Sequence, residues 1–225
     1  MTVAMRDIDS ENKPIRDIAY ESLKHSIITG ELTPGSRIVE TVYANKLHIS
    51  RTPLREALRK LELDGLVHYE LRRGVIVCAF TLSDIEEIFT IRNSMMMLLL
   101  PSVVQRVTDE DIERLDAILK VMDDALEQND CETLAIYNRQ FHDTLEHISD
   151  KKRILNVIDG QEEYIIRFSA VAIQSLQHRR AAHDEHHEMV RMLKERDLES
   201  LMALMQRHLE DSKESCLSAL KNREF

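Results

Sequence analysis

Only five glycines and four prolines punctuate these 225 residues, and four of the glycines, Gly30, Gly35, Gly65 and Gly74, precede residue 80. Glycine supplies the positive-φ positions that tight turns require. Turn-dependent structure is therefore confined to the first third of the chain, and the rest can run in long helices. A composition of 43% hydrophobic and 31% charged residues agrees with a mainly α fold. The longest apolar stretch, Met95 to Leu100 with Val103 and Val104 beyond, is interrupted by Pro101 and Ser102 and reaches about half a membrane span, so no membrane partner is expected. The N-terminus, with Asp7, Asp9 and Glu11, does not read as a secretory signal. Three scattered cysteines form no spacing motif and suit a reducing cytoplasm.

A net charge of −10 taken whole argues against a nucleic-acid partner, but it is unevenly spread. Residues 1–80 carry 12 basic and 11 acidic side chains, which leaves 18 and 29 for residues 81–225. Within residues 34–79 basic residues outnumber acidic ones, 8 to 5. Such asymmetry predicts two modules with different partners, residues 1–80 and 81–225. Ser83-Asp84-Ile85-Glu86 reads as the capping box that opens the second.

In the first module Ile15, Ile18, Ala19, Leu23, Ile27 and Ile28 recur at helical spacing, and Gly30 ends the helix. A short second helix is expected from Val39 or Glu40 to Leu47, burying Val42, Tyr43 and Leu47. A third runs from Arg51 to Gly65 with Leu54, Leu58, Leu61 and Leu63 inward, Pro53 in its first turn, and Ser50 or Thr52 as its cap. Two helices joined by a short turn make a helix-turn-helix. Arg51, Arg55 and Arg59 line one edge of the third helix, where guanidinium groups can pair bidentately with guanine or phosphate. Leu66 to Tyr69 and Val75 to Ala79 then read as a hairpin, a wing tipped by Arg72, Arg73 and Gly74.

The segments Pro34-Gly35-Ser36-Arg37-Ile38 to Glu40, Ile49 to Leu58, Leu61 to Val67 and Arg73 to Val77 resemble the winged-helix domain of GntR-family bacterial transcription regulators. That resemblance implies double-stranded operator DNA as partner, with Thr41, Ser50, Arg51, Thr52, Arg55, Arg72, Arg73 and Gly74 as the contacts.

After Ser83 the pattern predicts an antiparallel all-helical bundle of about six helices, near 85–100, 108–126, 130–148, 151–176, 178–195 and 197–221. Seven of the ten histidines follow residue 141, and spacing alone favours solvated histidines on charged helices. The second module resembles the effector domain of the FadR subfamily, the FCD type. That implies a divalent metal held by Asn138, His142, His186 and His208, with His147, His178, His183 and His187 peripheral. Asn138 stands where the subfamily has aspartate and offers only a neutral carbonyl, a loss that Glu146 could offset. Three histidines suit zinc or nickel better than manganese. Arg92 and Arg167 are the expected clamps for a carboxylate effector, and Met95 to Met97 the expected core or dimer packing. The resemblance thus implies a cytoplasmic homodimer whose operator affinity responds to an organic acid. A metal-dependent enzyme and a metal-free dimerisation bundle are the alternatives.

Overall fold

The computed structural model of the protein describes residues 13–79, 81–161, 164–165 and 176–221, and the chain divides into two units, Met1–Phe80 and Thr81–Phe225.

The first unit contains α1 (Ile15–Ile28), β1 (Arg37–Ile38), α2 (Glu40–Lys46), α3 (Arg51–Leu63), β2 (Val67–Glu70) and β3 (Gly74–Val77). Helix α1 packs on α3, with Ala19, Leu23, Ile27 and Ile28 buried on one side and Leu54, Ala57, Leu58 and Leu61 on the other. Each leucine or isoleucine fully removed from water stabilises this pairing by about 1.5–3 kcal/mol. Two expected core positions lie outside it. Leu63 is 81% exposed, because two residues of helix rotate it about 200° from Leu61. Val42 is exposed too, and Ala44 is the buried residue of the short α2.

The sheet is antiparallel in the order β1-β3-β2. Val67 faces Val77 and Glu70 faces Gly74 across the hairpin, while Arg37 faces Ile76. Strand β1 was not expected, since two residues carry no readable periodicity. At the hairpin tip Arg72 and Gly74 both have positive φ, 71° and 86°. A Cβ on Gly74 would meet only the Arg37 guanidinium, at 3.6 Å, so backbone conformation rather than space selects glycine there.

The second unit is a bundle of six helices among the described residues: α4 (Leu82–Arg106), α5 (Asp109–Glu127), α6 (Cys131–Ile148), α7 (Lys152–Asp159), α8 (Leu176–Glu195) and α9 (Leu198–Lys221). The turns flanking α5, α6 and the start of α9 span two or three residues, which makes sequential neighbours antiparallel. Capping boxes fix two starts. Thr81 Oγ1 accepts from the Asp84 backbone N–H and Asp84 accepts from that of Thr81, and Thr108 and Asp111 repeat the arrangement at α5. The first box thus sits two residues before the expected Ser83–Glu86 pair.

Helix α4 also continues past its expected end near Leu100 to Arg106, through Pro101, which forgoes the hydrogen bond to the Met97 carbonyl. The Arg196 guanidinium donates to the carbonyls of Val104 and Val107 where α4 ends, satisfying acceptors that a helix terminus leaves open. With 25 residues α4 is long and apolar enough to cross a membrane. Here Met96, Leu99, Leu100 and Val103 are wholly buried in the bundle core with Leu115, Phe141, Met189, Leu201 and Met205. The helix expected over 151–176 is shorter. Helix α7 stops at Asp159 before Gly160, Tyr164 and Ile165 are again helical, and most of the remainder lies outside the described residues.

Candidate nucleic-acid interface and histidine centre

Ser50 occupies the N-cap of α3 with extended backbone angles, yet its side chain makes no capping hydrogen bond. Thr52, the other expected cap, lies inside the helix, so no side-chain cap occupies the N-terminus of α3, and a helix N-terminus favours anions such as phosphate. Thr41, Ser50, Arg51, Thr52 and Arg55 are all exposed. One carboxylate oxygen, Glu40 Oε2, accepts from Arg51 Nη2 at 3.2 Å and Arg55 Nε at 2.8 Å. Burial alone would raise the pKa of Glu40, but the hydrogen bonds and charges of Arg55 and Arg51 outweigh it and hold the group below its ordinary value. The two arginines are thereby aligned by a neighbour on α2, a relation that spacing along α3 alone did not reveal. On the wing, Arg72 and Arg73 are exposed and Gly74 is partly so. Arg73 donates to Glu70 at 2.8 Å.

In the second unit three helices each deliver one buried histidine to a common point: His142 from α6, His186 from α8 and His208 from α9. His142 Nε2 lies 3.3 Å from His186 Nε2 and 3.4 Å from His208 Nε2. Bonds of 2.0–2.1 Å to zinc in tetrahedral geometry place ligand nitrogens roughly 3.3 Å apart, so the spacing is that of a metal's coordination edge. Neutral rings fit best, since at most one hydrogen can sit between any two of these nitrogens. Burial first, then the neighbouring positive groups, push His142 and His186 well below their ordinary pKa of 6.5. Both therefore stay uncharged near neutrality, as ligands must. His208 Nδ1 pairs with Glu185 Oε2 at 2.8 Å, a carboxylate contact that fixes the tautomer and leaves Nε2 as the lone-pair donor. Asn138, one turn before His142, lines the same cavity.

That cavity measures about 60 Å³ and is also walled by Arg92, Arg139, His178 and Ser212, room for a few water-sized groups. Arg92 is buried and donates to Glu146 Oε1 at 2.9 Å. Arg139 reaches both oxygens of the same carboxylate, at 3.5 and 3.4 Å. Glu146 is thus committed to two guanidinium groups, and the expectation that it could stand in for the missing aspartate does not hold. Arg92 lines the cavity already paired, and Arg167 lies outside the described residues. His147 is peripheral, as expected, hydrogen-bonded to the carbonyl one turn back. His178 and His183, expected to be peripheral, wall the cavity instead, and His183 and His187 both donate to Asp123 Oδ1, a contact with α5 that sequence spacing could not show.

Residues 16–77 match the profile described as "Bacterial regulatory proteins, gntR family", and residues 87–211 match the FCD domain. The chain is 32% identical over 147 residues to the HTH-type transcriptional regulator YdhC of Bacillus subtilis, covering 65% of this chain and 66% of that one. It is 27% identical to the Nta operon transcriptional regulator of Aminobacter aminovorans, over 84% of this chain and 88% of the relative. Among solved structures, Escherichia coli McbR/YncC superposes with a TM-score of 0.66 at 22% identity, covering 88% of this chain and 95% of the other. At that identity the likeness speaks for the fold.

Proposed function

Because the chain belongs to the GntR family of bacterial regulatory proteins and carries an FCD domain over most of its helical half, we propose that it is an effector-responsive regulator, acting in the cytoplasm as a homodimer on a pseudo-palindromic operator. It is a DNA-binding transcription regulator rather than an enzyme. In this reading Arg51 and Arg55 read base edges while Ser50, Thr52 and Thr41 hold phosphates. Arg72, Arg73 and Gly74 bring the wing to the backbone or minor groove. The acidic helical half, with 18 basic against 29 acidic residues, would repel DNA, which confines contact to the first unit.

The effector reading is carried by one observation, the meeting of three histidine Nε2 atoms on the wall of a cavity that Arg92 and Arg139 also line. His142, His186 and His208 would hold a divalent ion, zinc or nickel, with Asn138 as a weak fourth ligand. Bound there, the ion would supply a Lewis-acidic anchor for the carboxylate of a small organic acid. Arg139 and Arg92 would set the polarity that admits an anion. For such a ligand to act on DNA it must bind the free and operator-bound forms with different affinity, and a tenfold difference corresponds to about 1.4 kcal/mol of coupling.

The test is an operator titration by fluorescence anisotropy with zinc- or nickel-loaded protein against a panel of organic acids. Operator affinity unmoved by every acid would overturn the effector reading. Untagged protein that contains no metal and gains no thermal stability from zinc or nickel would overturn the metal reading, and would leave the bundle as a dimerisation device.

A further inference from the structure

We infer that Asp123, His183 and His187 form a second divalent-metal site of the zinc class, on the seam between α5 and α8 and separate from the three-histidine centre. The inference does not depend on the effector reading. His183 and His187 lie one turn apart on α8, so their rings leave the same face of the helix. Asp123 comes from α5 and meets both: its Oδ1 is 2.7 Å from His183 Nε2 and 3.0 Å from His187 Nε2. Two imidazole nitrogens and one carboxylate oxygen make a three-ligand set that zinc accepts with water in the remaining position. His187 and Asp123 are about half exposed, at 46% and 48% of their side chains, while His183 is buried at 4%. The site therefore has a fixed inner ligand, two outer ligands able to adjust, and access to solvent for a bound water.

The distances measure what occupation would require. Tetrahedral bonds of 2.0–2.2 Å set ligand atoms roughly 3.3 Å apart, so the contacts must open by about 0.3–0.6 Å as two hydrogen bonds are exchanged for coordination. The half-exposed His187 and Asp123 can supply that motion, while His183 stays in place, its Nδ1 buried and without a hydrogen-bond partner among the described residues. An ion here would clamp α5 to α8, the helix that also carries His186.

The experiment uses untagged full-length protein stripped with chelator and dialysed to equilibrium against zinc, with metal per protomer read by mass spectrometry. Cobalt(II), whose absorption reports coordination, serves as a second probe. Wild type should bind two equivalents, whereas His187→Ala and Asp123→Asn should each bind one. His142→Ala should lose the other equivalent and keep this one. Because His187 and Asp123 are half exposed, their replacement should leave the circular dichroism spectrum unchanged. If His187→Ala and Asp123→Asn bind as much metal as wild type, whether one equivalent or two, the inference is overturned, as it is if wild type binds none. A wild type that binds one equivalent, lost in His187→Ala and kept in His142→Ala, would support this site while overturning the three-histidine reading.

Discussion

Replacing Glu146 by Gln keeps the volume of the side chain and removes its charge. It would leave Arg92, 4% exposed, without the carboxylate that accepts from it at 2.9 Å. Coulomb attraction at that distance, with an effective dielectric near 20, is about 6 kcal/mol, and it offsets a desolvation cost of several kcal/mol for each ion. Removing one partner abolishes the attraction and retains the burial cost of the other. The expected loss is about 3–5 kcal/mol, a fall of roughly 6–20 °C in the melting temperature of a chain this size. Arg139 loses less, because Asp143 lies 3.5 Å away as a second partner. The double replacement Arg92→Met with Glu146→Leu removes both charges and should be close to wild type or more stable. Urea unfolding followed by circular dichroism, with the two single variants completing the cycle, gives the coupling energy. A Gln variant within about 1 kcal/mol of wild type, or a double variant as unstable as the singles summed, would refute a strongly coupled buried pair.

Arg55→Ala should weaken specific operator binding by about 1–3 kcal/mol, or roughly five- to 150-fold, and relax preference at one base position; an unchanged footprint and affinity would contradict its role. Arg72→Ala on the wing should weaken binding to all sequences alike and lower the slope of log affinity against log salt by about 1, which anisotropy titrations at several salt concentrations measure. Metal-stripped protein should lose stability on mild acidification. His142 and His186 have folded pKa values well below the ordinary 6.5, so the unfolded chain binds more protons. Their contribution is complete above pH 6.5 and declines as pH falls through the window below it. Calorimetry between about pH 7.5 and pH 5.5 that shows a constant melting temperature would contradict this sign. Asn138→Asp should tighten zinc binding by adding an anionic ligand, and competition with a chelating dye would detect the change.

The readable parts of this protein are those that local chemistry dictates. Four early glycines marked the turns, and Gly30, Gly65 and Gly74 do adopt positive φ. The 3.6-residue period gave most of the helices and the inward face of α3 apart from Leu63. The errors have two sources: Leu63 and the first capping box follow local helix geometry that residue type alone misreads, whereas the far end of α4 depends on a distant neighbour. Arg196 donates to the Val104 and Val107 carbonyls at the end of α4 from more than 80 residues away in sequence.

The same division holds for the sites. Sequence placed His142, His186 and His208 in motifs resembling a known pattern, and placed Arg51 and Arg55 on one helix edge. It could not bring the Nε2 atoms of His186 and His208 to 3.3 and 3.4 Å from that of His142, align both arginines on Glu40, bind Glu146 to Arg92 or set His183 and His187 against Asp123. Each of those contacts joins residues on different helices. Helical periodicity fixes which residues share a face, but which faces meet depends on how side chains pack between helices, and that is settled only when the bundle closes.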